Sequence, residues 1–89
     1  MDNKNLRYCV SFVETEHGSV LNFGVLNSRY YDSLEKAYNA LQKDFNNVKN
    51  EHPNGNAFLN EQSYSGYVCE EDGGYNFEWS CGPVEPFEE

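Results

Sequence analysis

The side chains of this 89-residue sequence that could do chemistry are three cysteines, two histidines and fifteen carboxylates. Cys9, Cys69, Cys81, His17 and His52 show no CxxC or HxxxH spacing, so the sequence predicts no zinc set. Glu70, Glu71 and Asp72 are consecutive, alternate faces on a strand and cannot converge on one ion. The residues after Asp72 lack the ligand offsets of a twelve-residue calcium loop. No metal and no cofactor are expected. No helix start or basic neighbour in sequence activates a thiol: Cys9 and Cys69 have outward strand parity, and Cys81 reads as a small core residue. His17 sits in a turn and His52 just before Pro53, so both read as exposed turn residues, not general bases. Glu14 and Glu78 would serve as an acid and base pair only if something buried one of them, and nothing in the sequence does. The glycines form no phosphate loop. No catalytic residue is assigned, and an enzyme using a thiol or carboxylates ranks last.

The charge layout is more informative. Six Lys and Arg face fifteen Asp and Glu, a formal charge of −9. Residues 1–49 hold six acids and all six bases; residues 50–89 hold nine acids and no base. The whole net charge therefore lies in the last 40 residues, and seven of those nine acids fall between Glu70 and Glu89. A chain this acidic is a poor ligand for a phosphate backbone, so no direct nucleic-acid binding is expected. An acidic ribbon bearing aromatic rings would instead attract a basic protein groove, with charge steering the encounter and rings anchoring it. The candidate partner-binding set is Tyr67, Glu70, Glu71, Asp72, Tyr75, Glu78 and Glu85. The competing reading is that the carboxylates only blunt sheet edges and keep the chain soluble.

These residues need elements to hold them. Residues 6–14 alternate, with Leu6, Tyr8, Val10 and Phe12 on one face. After Glu16-His17-Gly18-Ser19, residues 20–26 alternate again, with Leu21, Phe23 and Val25 together, and Phe23 counted with the core. Two such runs about a short glycine turn predict a β-hairpin. Asp32-Ser33-Leu34-Glu35 has the form of a capping box with Asp32 as cap. Leu34, Ala37, Tyr38, Leu41, Phe45 and Val48 then recur at helical spacing, predicting a helix over about residues 33–50, about 27 Å long. Pro53-Asn54-Gly55 stops it. Residues 51–63 read as a polar loop with an apolar plug at Ala57-Phe58-Leu59. Residues 64–71 and 75–81 alternate about Asp72-Gly73-Gly74, a second hairpin, with Gly82-Pro83 ending the last strand.

Parity places side chains within that hairpin. A two-residue turn at Asp72-Gly73 or Gly73-Gly74 sets Gly66 and Val68 on the core face with Phe77 and Trp79, and Gly66 gives the indole room. Cys69 then lies opposite in facing to Cys81, with Tyr67 and Glu78, which argues against a Cys69–Cys81 bridge unless a bulge intervenes. An odd cysteine count and no leader or membrane-spanning run point to free thiols in a cytoplasmic protein with no membrane contact. The expected fold is α+β: one domain over residues 1–89, a four-stranded antiparallel sheet in the order β-β-α-β-β, one long helix across one face, and a frayed acidic tail over residues 83–89.

No motif names a family. In size, acidity and its content of Asn and Tyr, the chain resembles accessory proteins of bacteriophages and mobile elements, a group that includes anti-CRISPR and DNA-mimic inhibitors. That resemblance implies a protein-binding inhibitor or modulator that occludes a basic groove of a nucleic-acid-handling protein or nuclease; it carries no site residue over. The alternative is a homo-oligomeric structural or accessory domain, a dimer formed through strand edges or an outward face bearing Cys9, Val13, Val20 and Leu26.

Overall fold

The computed structural model describes residues 7–70 and 73–84. Strands β1 (Arg7–Glu16) and β2 (Ser19–Val25) precede one helix, α1 (Leu34–Glu51), and strands β3 (Asn56–Asn60), β4 (Ser65–Cys69) and β5 (Tyr75–Val84) follow it. All neighbouring strands pair antiparallel, in the order β2-β1-β5-β4-β3. The class is α+β as expected, but the sheet has five strands, not four. The added one is β3, in the segment read as a loop. Its Leu59 faces the helix side opposite Gly66, and Phe58 faces the other way opposite Tyr67. Five residues flanked by polar turns are too few to show a period above the background.

The helix follows its sequence stripe. Ala37, Tyr38, Leu41, Phe45 and Val48 are its buried residues, and they pack over Val10, Val68, Phe77 and Trp79 from the sheet. Leu41, Val10 and Val68 are the largest fully buried side chains, each contributing about 1.5–3 kcal/mol of apolar transfer. The Trp79 Nε1–H, turned into this layer, donates to Asp44 at 2.9 Å. The cap differs from expectation by one residue. Ser33 is the N-cap and its Oγ accepts from the Lys36 N–H at 3.1 Å, while Asp32 pairs with the Lys36 ammonium at 3.0 Å.

Two local devices decide which side chains face out. The first hairpin turns through His17 and Gly18, both left-handed at φ 51° and 83°, as a two-residue turn that matches strand twist requires. A bulge follows at once: Thr15 opposes Val20, but Glu14 opposes Asn22, leaving Leu21 unpaired. That one-residue shift reverses the facing of the rest of β2. Phe23 is therefore not a core residue; it opposes Val13 on the uncovered face and is 73% exposed. Leu26 moves the other way, into the core at 8% exposure, so it is not part of an outward dimer face.

Gly82 and Pro83 do not end β5. Pro83 opposes Tyr8, and Tyr8 spends both its N–H and its C=O on Tyr31, at 2.8 and 2.7 Å. The Tyr8–Pro83 position thus asks no ladder hydrogen of the proline. Of the tail read as frayed, residues 83 and 84 belong to β5; residues 85–89 lie outside the described residues.

Candidate functional site

One face of the sheet carries α1; among the described residues nothing covers the other. Across the open face the register aligns one residue from each strand, in the order Phe23, Val13, Glu78, Tyr67 and Phe58. Five strands at about 4.8 Å spacing make this row about 19 Å long. Phe58 is 51% exposed and Tyr67 41%, with ring centroids 5.9 Å apart. The next row is smaller and mostly polar: Val25, Ser11, Ser80, Ser65 and Asn60. Large side chains beside small ones make a trough running across the strands. Two shallow hollows mark it, one of about 500 Å³ beside Phe23, Val13 and Val20, the other of about 320 Å³ beside Phe58 and Tyr67. Both reach Glu78 and Ser80 on β5. Glu78 is exposed at the row's centre, and Asn76 Nδ2 donates to it at 2.7 Å.

The carboxylates gather elsewhere, where the two hairpin turns meet. The His17 N–H donates to the Gly74 carbonyl at 2.9 Å. Tyr75, opposite Glu16, donates its hydroxyl proton to Glu14 at 2.6 Å. Its ring stacks on His52 with centroids 4.1 Å apart, and His52 Nδ1 lies 3.0 Å from a Glu70 oxygen. Glu51 ends the helix beside this group. The acidic end therefore draws on both halves of the chain, Glu14 and Glu16 as well as Glu51 and Glu70.

The anticipated binding set is divided by this geometry. Tyr67 and Glu78 are direct cross-strand partners on the open face. Glu70 and Tyr75 point to the helix side and have internal partners. Glu71, Asp72 and Glu85 lie outside the described residues. Sequence reasoning missed Phe23 and Phe58, hidden by the bulge and by the unread strand. It also misread His52, which is not an exposed turn residue: its N–H closes the helix on the Val48 and Lys49 carbonyls, and its ring is half-buried. The available signal was length. A helix of 18 residues spans about 27 Å, close to the about 33 Å of a ten-residue strand, so its C-terminus must arrive at the start of β5.

Three groups, Tyr75, Cys81 and Tyr38, are shifted toward their protonated forms. Burial, then the hydrogen bond to Glu14 and the neighbouring carboxylates, push the Tyr75 phenol well above its usual range. Burial, with Cys9 nearby, pushes the Cys81 thiol up to about 11. Burial also raises Tyr38, whose hydroxyl has no hydrogen-bond partner among the described residues. None of these groups is poised as a nucleophile or base near neutrality. Cys9, Cys69 and Cys81 are free thiols, and Cys69 and Cys81 sit on opposite faces as parity required. Among the described residues no group of three or more His, Cys, Asp or Glu is placed to hold a metal ion. Among them also, no helix is long and apolar enough to cross a membrane. No protein-family model, curated protein or solved structure matches this chain.

Proposed function

We propose that this chain is a non-enzymatic protein-binding module that docks a basic, partly apolar surface of another protein onto the open face of its sheet. The observation that carries this reading is the row Phe23, Val13, Glu78, Tyr67, Phe58: four apolar or aromatic side chains with one carboxylate at the centre. Rings at both ends supply buried area, and Glu78 selects a lysine or arginine between them. The acidic end, with a formal chain charge of −9 behind it, raises the encounter rate with a positive partner and adds little to contact. Basic grooves serve chiefly to hold phosphate backbones, so the partner class is a nucleic-acid-handling protein or nuclease, and the action is inhibition by occlusion.

Charge argues against a second copy as the occupant. A two-fold contact centred on the row sets Glu78 against Glu78 and joins two chains of charge −9. The dimer remains as the outcome that overturns the proposal. Sedimentation at two concentrations gives the oligomeric state. Capture from a lysate then compares the wild type with Glu78→Lys and with Phe23→Ser/Tyr67→Ser. The reading requires a basic captured protein that rebinds when purified, weakens with salt, and is lost from both variants while their far-UV spectra stay unchanged. Capture undiminished in both variants, or a dimer dissociated by Phe23→Ser/Tyr67→Ser, sinks it.

A further inference from the structure

The cleft between α1 and the segment after β2 has the opposite electrical character to the rest of the molecule. Three of the chain's six cations, Arg29, Lys36 and Lys43, line one cavity of about 640 Å³. Lys36, Asn39, Lys43 and Asn47 recur at spacings of three and four, so they form one stripe along the helix, offset from the buried stripe. Arg29 comes from the facing wall. It is held between two fixed points, its own N–H on the Leu26 carbonyl at 3.2 Å and the double Tyr8–Tyr31 bridge two residues on. Asn27 and Ser28, both left-handed at φ 57° and 52°, make the turn that sends Leu26 into the core and leaves Asn27 on the cleft. Two consecutive non-glycine residues in that region cost about 1–3 kcal/mol each, a strain that the surrounding bridge sustains.

Asp44 also lines the cleft; it accepts from Trp79 Nε1 and keeps its charge, while Asp32 pairs with Lys36, so three cations stand against one lining carboxylate. Among the described residues Arg29 and Lys43 have no ion-pair partner. The net charge of the chain does not cancel them. Along the helix, Lys43 and Lys36 stand about 12 and 22 Å from Glu51, beyond the Debye length of about 8 Å at physiological salt.

We propose that this cleft binds a small organic phosphate of mononucleotide size. Arg29 and Lys43 hold the phosphate, the guanidinium as a two-pronged donor and the ammonium as a point charge. The Asn27, Asn39 and Asn47 amides, which both donate and accept, meet the polar remainder of the ligand. A phosphate dianion engages Arg29 and Lys43 together where a single carboxylate engages one, the lining keeps an excess of cations over its one carboxylate Asp44, and the cavity lies within the usual range for small-ligand sites, about 300–1,000 Å³. This inference does not depend on the open face.

Backbone-amide NMR titrations at fixed ionic strength, with inorganic phosphate, AMP, ADP and a glutamate-rich peptide as separate probes, test it. The nucleotides should shift amides of residues 27–31 and 36–47 saturably, and Arg29→Ala/Lys43→Ala should weaken binding about tenfold or more. Saturation by inorganic phosphate alone keeps the phosphate site and removes the mononucleotide. No saturable shift with any phosphate below about 10 mM, the same affinity in the double variant, or a response to the peptide only, overturns the proposal.

Discussion

Along the same five strands, two adjacent rows of residues meet different surroundings. The covered row runs Gly24, Phe12, Trp79, Gly66, Leu59; the open row, one position along each strand, runs Phe23, Val13, Glu78, Tyr67, Phe58. Apolar content does not distinguish them. The covered row has two glycines, and at Gly66 an added Cβ would lie 2.9 Å from Leu59 Cδ2 and 3.1 Å from the Phe58 carbonyl oxygen. The space at Gly66 is taken first by Leu59 and the Phe58 carbonyl of neighbouring β3, then by the Phe45 ring at 3.6 Å. The open row has a side chain at every position and, among the described residues, nothing above it. Close packing has shaped the first row; the second keeps four apolar or aromatic side chains that no packed layer among the described residues covers.

Truncating each row should separate them most widely. Trp79→Ala removes a buried indole that packs on Phe45 and Phe77 and donates to Asp44, and should cost about 3–5 kcal/mol in urea unfolding. Phe23→Ser, on the open row, should leave stability within about 0.5 kcal/mol. A comparable loss from both would mean that the open row is structural.

Filling the gap is the next largest effect. Gly66→Ala overpacks against Leu59, whose side-chain end can yield, and against a backbone carbonyl, which cannot without moving β3. The expected loss is about 1–3 kcal/mol, with faster amide exchange appearing first in β3.

Much of the covered layer was legible in the sequence, because it repeats. The helix stripe supplied five of its buried residues, and the glycine-turn signal gave β4 and β5 the observed facing, Gly66 and Val68 with Phe77 and Trp79, while leaving two registers open; the structure pairs Val68 with Phe77 and Gly66 with Trp79. The open row was half legible: Tyr67, Glu78 and Val13 follow from parity, Phe23 and Phe58 do not. Leu21 carries no mark of a bulge, since its neighbours alternate smoothly through it. Proline at position 83 reads as a terminator unless one knows that Tyr8 is occupied by Tyr31, a contact 23 residues away in sequence. The His52–Tyr75 stack likewise exists only after the sheet and helix have been laid across each other.

A pH series probes the covered side alone. The Cys81 pKa is pushed up to about 11 by burial, while in the unfolded chain the thiol ionises near its ordinary value of 9.0. Between those values the folded state binds more protons than the unfolded state, so stability falls as pH rises through the window and is unaffected below it. Cys81→Ala should remove that part of the slope. Tyr75 adds a fall of the same sign above its ordinary value of 10.0, so the interval from pH 9 to 10 isolates the thiol.

The smallest expected change in stability belongs to Glu78→Lys, and it is the sharpest test of what the open row is for. Glu78 is exposed and its described partner is the neighbouring Asn76 amide, so reversal should shift unfolding by no more than about 0.5 kcal/mol. A purified basic partner should nevertheless lose affinity, because a lysine at the row's centre repels the group that Glu78 selects and leaves it desolvated under the rings. The same substitution weakens the charge argument against self-association, since two reversed copies carry less net charge. If Glu78→Lys binds the partner as the wild type does, the row contributes area alone and the charge at its centre selects nothing.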